Sequence, residues 1–221
     1  SPPGEANGVA FAPDGKTVAT DWGSGEYHRV ALWHLATGKR TALLKGYEGP
    51  LAFSPDSRTL ALCKDRMVRL WDVARGKEIA CFRLFNFDVG SLAFSPDGKL
   101  LATSGNYQDK PGGTLDSRVI LVDLATRKRR MILSGFERRL KGLIFSSDGK
   151  TLVTSGYADP VKLWDVKTGK MRLTLNGHPD SASSTAIALH GNTLAVGAAK
   201  GQIWFWDLSG AAPKKRAVIA A

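Results

Sequence analysis

The stretch Phe94-Ser-Pro-Asp-Gly-Lys99-Leu-Leu-Ala-Thr103 decides the fold, because the chain repeats it along its whole length. Close copies begin at Phe11, Phe53 and Phe145, and a degenerate fifth copy begins at Ile187. Successive copies start about 42 residues apart, and one interval is longer by about ten residues. A fixed period of this length indicates a repeat protein with a single large loop insertion.

A second recurring segment, Val68-Arg-Leu-Trp71-Asp72 in the second copy, follows the first within each repeat. Both segments are short and rich in Val, Leu and Thr, which favours strands. Pro-Asp-Gly favours a tight turn, because Pro presets φ, Asp bonds its own backbone and Gly accepts positive φ. Each repeat is therefore predicted to form a four-stranded antiparallel sheet, with strands a to d, that must stack on its neighbours. The Trp and Asp residues of the second segment, which we predict to be structural, are Trp33, Trp71, Asp72, Asp123, Trp164, Asp165, Trp206 and Asp207.

These two segments, together with the pair Gly177-His178, resemble WD40-repeat β-propellers. The resemblance runs from about Val9 to Asp207 and implies an all-β propeller with five visible four-stranded repeats. Residues 1–8 are expected to be a linker or a truncated start, and the propeller segment to span 9–221. The expected repeats are about 9–50, 51–91, 92–142, 143–184 and 185–221.

In this family a tetrad of hydrogen bonds joins the His of Gly-His, a Ser or Thr on strand b, an Asp in the b–c turn, and the Trp. No copy carries all four residues. The fourth copy offers Ser155, Asp159 and Trp164, and the fifth offers His178 and Trp206. The resemblance therefore implies the fold, with blades that are not all fully cross-linked by this network.

The number of repeats bears on how the fold closes. Family propellers typically have seven blades and pair strands from both chain ends within one blade. Five repeats without a spare N-terminal strand therefore predict part of a larger propeller, or an incompletely closed one. Uncovered end blades would permit self-association.

Charge and composition limit the possible partners. There are 31 Lys and Arg against 20 Asp and Glu, a formal charge of +11. The surplus lies in three groups, at 127–130, 138–141 and 214–216. We expect the first two groups on different faces, so that they do not form one stripe. Nucleic-acid binding through this basic surface is the alternative to protein binding. No apolar run of about 18 residues and no signal peptide are visible, which predicts no membrane association and a cytoplasmic location.

The loops supply the candidate binding residues. The resemblance places the a–b and c–d turns on one face, and the b–c and d–a loops on the other, which is more often the binding face. Tyr, Trp and Arg most often dominate binding energy. The candidates on this second face are Trp22, Tyr27, His28, Tyr47, Phe87, Tyr107, Phe136, Arg138 and Arg139.

No motif for catalysis or metal binding is visible. The four histidines form no ligand pattern, and Gly15-Lys16-Thr17 lacks the earlier glycine of a phosphate loop. Cys63 and Cys81 are expected two strands apart, too far for a disulfide, as small buried apolar residues. We therefore predict no cofactor and no enzyme activity, with a site in the central channel as the remaining enzymatic alternative.

The resulting functional prediction is a scaffold that binds a protein or peptide partner. The resemblance also suggests a module of a larger bacterial signalling protein.

Overall fold

A computed structural model describes residues 6–23, 27–86, 88–107, 116–136, 139–156, 159–175, 187–198, 201–210 and 213–220. These residues form twenty β-strands, arranged as five four-stranded antiparallel sheets that we call blades 1 to 5. Within each blade the strands follow chain order, from a to d. The all-β prediction is confirmed.

The strands of the five blades have the following bounds. Blade 1 contains β1 (Ala6–Phe11), β2 (Thr17–Trp22), β3 (Arg29–His34) and β4 (Lys39–Lys45). Blade 2 contains β5 (Glu48–Phe53), β6 (Thr59–Lys64), β7 (Met67–Asp72) and β8 (Lys77–Phe82). Blade 3 contains β9 (Val89–Phe94), β10 (Leu100–Tyr107), β11 (Asp116–Asp123) and β12 (Lys128–Phe136). Blade 4 contains β13 (Leu140–Phe145), β14 (Thr151–Gly156), β15 (Asp159–Asp165) and β16 (Met171–Leu175). Blade 5 contains β17 (Ile187–His190), β18 (Thr193–Ala198), β19 (Gln202–Asp207) and β20 (Lys214–Ala220).

Two local expectations differ from the structure. The first strand begins at Ala6, which pairs with Trp22, so residues 6–8 of the predicted linker belong to β1. Both cysteines are free, but only Cys63 is buried, whereas Cys81 is exposed. Cys81 lies on an outermost strand, whose alternate side chains point to solvent because no further strand or blade covers that edge.

Apolar cores fill the four seams between consecutive blades. In the first seam, Val30 and Leu32 of blade 1 pack with Phe53 and Leu60 of blade 2. The remaining three clusters join blades 2 and 3, blades 3 and 4, and blades 4 and 5 in the same way. Each blade therefore buries its faces against its neighbours rather than within itself, as predicted for a stacked repeat.

The innermost strands approach one another closely. A Cβ atom on Gly90 of β9 would lie 2.5 Å from the carbonyl oxygen of Leu140, at the start of β13. That distance is far below van der Waals contact, so only glycine permits this spacing of blades 3 and 4.

The Ser-Pro-Asp-Gly segments form a–b turns with one hydrogen-bond pattern. In blade 3, Ser95 Oγ donates to Asp97 Oδ1 at 2.6 Å, and the same carboxylate oxygen accepts from the Lys99 amide at 3.1 Å. The Leu100 amide donates to Ser95 Oγ at 2.9 Å. The Ser95 hydroxyl is the main reason that the pKa of Asp97 lies below its ordinary value. Blades 2 and 4 repeat the arrangement with Ser54–Asp56 and Ser146–Asp148.

In blades 1 and 4 the strand-c tryptophan donates a hydrogen bond to a threonine of strand b. In blade 4 this threonine lies one residue earlier than the serine that the sequence suggested. In blade 4, Trp164 Nε1 donates to Thr154 Oγ1 at 3.1 Å, so Ser155 was the wrong assignment. Trp33 makes the same bond to Thr20 in blade 1, at 2.8 Å. The side chain of Asp159 and the residue His178 lie outside the described part of the chain.

Blades 2 and 3 each contain only one of the two residues of this Trp–Thr pair. In blade 2 the position of the threonine holds Leu62, and among the described residues Trp71 Nε1 has no hydrogen-bond partner. In blade 3 the position of the tryptophan holds Val122, and the buried Thr103 hydroxyl has no partner within the described ranges. The contribution of this hydrogen bond to stability therefore differs between blades whose folds are the same.

The outer faces of the two end blades remain uncovered. Val9 and Phe11 of β1 are 62% and 63% exposed, although Phe53 and Phe145, the counterparts of Phe11, are buried. On blade 5, Ile203 and Ile219 are 41% and 55% exposed. Contacts between innermost strands run from β1 through β5, β9 and β13 to β17, and among the described residues no comparable contact returns from β17 to β1. The array is an incomplete propeller.

We predict that Thr154→Val lowers the free energy of unfolding by about 1–3 kcal/mol, because it leaves the buried Trp164 Nε1 without an acceptor. The matched control is Thr103→Val, which removes a buried hydroxyl that has no partner and should leave stability unchanged or raised. Urea denaturation followed by tryptophan fluorescence measures both. Equal losses for the two variants would show that the Trp–Thr bond contributes nothing specific.

Candidate functional site

The b–c and d–a loops form what we call the upper face, and over blades 1 and 2 this face holds a cluster of Asp21, His28 and Glu48. Asp21 is the last residue but one of β2, His28 precedes β3, and Glu48 begins β5. His28 Nε2 lies 3.4 Å from Glu48 Oε2, and His28 Nδ1 lies 3.9 Å from Asp21 Oδ1. We call these three residues the Asp21 cluster.

Asp21 is the buried member of the cluster. Its side chain is 4% exposed, and Oδ2 accepts a hydrogen bond from the Gly49 amide at 2.9 Å, which ties blade 1 to blade 2. Among the described residues Oδ1 has no hydrogen-bond partner. Burial raises the pKa of Asp21, although the Gly49 amide and His28 act in the opposite direction.

Further carboxylates lie close to Glu48. Burial is the main reason that the pKa of Glu48 is raised, and the charges of Asp88, Asp21 and Asp65 raise it further, although His28 lowers it. Asp88 in turn lies 3.9 Å from Arg139 Nη1. The half-exposed Glu48 thus lies among carboxylates. Cations lie on the same face as well, since Asp65 faces Arg69 at 3.9 Å and the b–c turn of blade 2 contains Lys64 and Arg66.

The predicted binding residues near this cluster have different exposures. Tyr27 is 74% exposed, and Trp22 and His28 are half-buried beside it. Arg139 is exposed and faces Asp88. Tyr27 is therefore the aromatic side chain of the predicted set that offers the most free surface within the described part of the chain.

Tyr47 has a structural role. Its hydroxyl lies 3.1 Å from Glu78 Oε2, and its ring packs edge-on against Trp71 with 6.0 Å between ring centroids. Glu78 Oε2 also forms an ion pair with Arg69 Nη1 at 2.8 Å. These contacts hold the ring half-buried in blade 2, so little of it remains for a partner.

Phe136 is a correction to the predicted binding set. It is only 6% exposed and packs against Trp164, with 5.1 Å between ring centroids. Lys162 Nζ lies 5.2 Å from its centroid and donates to the Gly135 carbonyl at 2.7 Å. Phe136 turns inward because β12 extends to this residue and places it in the core between blades 3 and 4. Phe87, Arg138 and the side chain of Tyr107 lie outside the described residues.

The aspartates that end strand c in blades 2 to 5 close the c–d turns. Asp165 Oδ1 accepts from the amide and the hydroxyl of Thr168 at 2.7 and 2.8 Å. Asp123 bonds Thr126 in the same way, and Asp72 accepts from the Arg75 amide. Hydrogen bonds from Ser209, with a further one from Arg216, lower the pKa of Asp207 to about 2. All four carboxyls have lowered pKa values, as expected for turn carboxylates that accept several hydrogen bonds.

Grooves open between neighbouring blades on the opposite, lower face. One of these grooves, of about 640 Å³, lies between blades 3 and 4 and is lined by turn residues that include Asp97, Asp123, Asp148 and Asp165. Hydrogen bonds already engage these carboxylates. Within the described ranges no group of three or more His, Cys, Asp or Glu residues could hold a metal ion. The described residues also contain no helix long and apolar enough to cross a membrane.

Sequence reasoning selected His28 but missed Asp21 and Glu48. Neither residue has a counterpart at its position in the other repeats, so no repeated motif drew attention to either. The available signal was an acidic residue directly before Trp22, at the end of a strand rich in apolar residues.

Comparison with known proteins agrees with this architecture. The family model described as "WD domain, G-beta repeat" matches residues 51–72, 76–120 and 169–207. The chain belongs to the WD40-repeat β-propeller family. Proteins of this family generally act as non-catalytic platforms for binding other proteins.

Individual relatives cover most of this WD40 chain. Periodic tryptophan protein 2 of Arabidopsis thaliana is 29% identical over 209 residues, which are 92% of the chain and 22% of the relative. The guanine nucleotide-binding protein subunit beta of Oryza sativa subsp. japonica is 25% identical over 220 residues, or 90% of the chain and 56% of the relative. The chain thus spans about a fifth of the length of the periodic tryptophan proteins that it matches.

A solved structure supports the fold. A chain in the crystal structure of the mitotic checkpoint complex superposes with a TM-score of 0.81 at 18% identity. The match covers all of the present WD40 chain and 66% of the other.

We predict that Asp21→Asn raises the melting temperature at pH 7 and that this gain shrinks as the pH falls towards 4. The raised pKa means that the folded state prefers protonated Asp21, so the charged form destabilises the fold above that pKa. Asparagine keeps an acceptor for the Gly49 amide without the buried charge. The control Asp88→Asn removes a charge from an exposed side chain. Thermal melts from pH 4 to pH 7 test this, and an Asp21→Asn melting temperature below that of the unsubstituted chain at pH 7 would contradict it.

Proposed function

We propose that this chain is a non-catalytic platform that binds a protein or peptide partner through the upper face of blades 1 to 3. The observation that carries the proposal is the exposed Tyr27 ring beside the Asp21 cluster. Tyr is among the residue types that most often dominate binding energy at an interface. The blades supply a rigid support, because each is packed against its neighbours.

The carboxylates around Asp21 favour a basic partner segment. Glu48, Asp65 and Asp88 add negative charge there, although Asp65 faces Arg69 and Asp88 faces Arg139, each at 3.9 Å. Asp21 Oδ1 has no hydrogen-bond donor among the described residues, so a Lys or Arg side chain would complete its hydrogen bonding. A basic peptide that places an apolar or aromatic residue against Tyr27 fits both features.

The proposal places the chain within a longer protein. The large unmatched share of the periodic tryptophan proteins supports a segment of such a protein. That the longer protein is a bacterial signalling protein, and that it is cytoplasmic, stay predictions. The two free cysteines fit a reducing compartment. No arrangement of described side chains favours the enzymatic alternative.

Selection from a random peptide library on the immobilised chain tests this proposal. We expect enrichment of peptides that contain Lys and Arg. Tyr27→Ala and Glu48→Gln should each raise the dissociation constant of the selected peptides about tenfold, because each removes one interface anchor. The matched control is Ile132→Ala, which removes a 46% exposed apolar side chain from the outer strand of blade 3.

Two results would refute the upper face as the binding site. One is enrichment of acidic peptides. The other is equal affinity of the selected peptides for the unsubstituted chain, Tyr27→Ala and Glu48→Gln.

A further inference from the structure

The outermost strands of all five blades carry exposed basic residues at the ends that adjoin the c–d turns. These positions are about 40 residues apart in the sequence, but the register of each blade places them at the same level of the outer edge. We call this set the basic rim. Its members are Lys39, Arg40, Lys77, Arg127, Lys128, Arg129, Arg130, Lys170, Arg172, Lys214, Lys215 and Arg216.

Several of these cations have no ion-pair partner among the described residues. Within the described part of the chain, no carboxylate lies within ion-pair distance of Lys39, Lys77, Lys128, Arg129, Lys170 or Lys214, whereas Arg216 pairs with Asp207. The five outer strands contain a single carboxylate, Glu78, which pairs with Arg69. The aspartates of the c–d turns remain charged, and Asp123, Asp165 and Asp207 offset part of the rim charge through Arg130, Arg172 and Arg216. The rim nevertheless holds twelve of the 31 Lys and Arg residues of the chain.

Blade 3 contributes the most cations to the rim, and one of them has an unfavourable backbone conformation. Arg127 has φ 59° at the turn position that Gly38, Gly76 and Gly169 occupy in blades 1, 2 and 4, with φ between 63° and 71°. A glycine would adopt this left-handed conformation without strain. The chain has an arginine instead, directly before Lys128, Arg129 and Arg130.

Two of the three basic groups belong to the rim. Arg127–Arg130 and Lys214–Arg216 occupy equivalent rim positions in blades 3 and 5. Arg139 and Lys141 flank the start of β13 at the other end of the blades, as expected for a group on a different face from Arg127–Arg130.

We propose that the basic rim binds the phosphate backbone of a nucleic-acid duplex without reading its sequence. An isolated lysine on an edge strand is explained by protection against pairing with another strand. Blade 3 has four consecutive cations, and each of the other four blades has at least one. These are more cations than such protection requires. Arginine is well suited to phosphate because its planar group donates two parallel hydrogen bonds. A line of cations along the edge matches a ligand that is itself a line of phosphates.

The apolar residues of the rim strands favour a duplex over a single strand. The exposed apolar residues there are aliphatic, including Leu43, Ile79 and Ile132. The two aromatic residues of the outer strands, Phe82 and Phe136, are buried. Single-strand binding depends on aromatic side chains on which bases stack.

Fluorescence anisotropy with labelled duplexes of about 20 base pairs, measured from about 50 to 200 mM salt, tests the proposal on the full chain. We expect binding whose affinity falls steeply with salt. The double variant Lys128→Gln/Arg129→Gln should weaken binding at least tenfold and reduce the slope of log K against log salt by about 2, since each lost phosphate contact contributes about 0.9.

The matched control is Arg83→Gln/Lys141→Gln, which removes the same charge from exposed positions outside the rim. It should keep a nearly unchanged slope. Circular dichroism and melting curves verify that both variants fold. Absence of duplex binding at the lowest salt, equal losses in the two variants, or tighter binding to a single strand of equal length would overturn the proposal. Rim-dependent binding to vesicles of anionic phospholipid that equals duplex binding would assign the rim to membranes instead.

Discussion

The fold depends on the apolar seam between one blade and the next. A single four-stranded sheet of this size has two faces, and its own strands bury neither. In this chain Leu60 and Leu62 of blade 2 are fully buried only because Val30, Leu32 and Leu44 of blade 1 cover them. Folding of each repeat is therefore coupled to that of its neighbours, as in other linear repeat proteins.

The repeat supplies the framework, and departures from the repeat supply the candidate sites. The Ser–Asp and Asp–Thr turns recur with nearly the same distances, which explains why these carboxylates are structural. By contrast, the Asp21 cluster has no counterpart in the other blades. The basic rim combines both kinds of feature, since every blade contributes cations and blade 3 contributes most. The two proposed surfaces also lie on different elements, one around a group of carboxylates and the other along a row of cations, so their partners would differ in chemistry.

The sequence was sufficient for the fold, because a period of about 42 residues and tight-turn residues constrain strand order strongly. It was less informative about side-chain direction. Thr154 rather than Ser155 bonds Trp164 because a shift of one residue along a strand moves a side chain to the opposite face. Phe136 was assigned to a loop, but β12 continues through it into the core. The repeat alone places the turn lysines Lys39, Lys77, Lys128 and Lys170 on one face. The further cations of the outer strands join them only after the strands of each blade are aligned.

The uncovered end faces test the central claim most directly, namely that every blade requires a neighbour on each side. Sedimentation velocity over a concentration series should show that the chain self-associates. It should also show that Val9→Lys/Phe11→Lys reduces this association without lowering the melting temperature, because both side chains are already exposed. A chain that stays monomeric at all concentrations, with a melting temperature that falls in the double variant, would contradict the account by showing that this face is already covered.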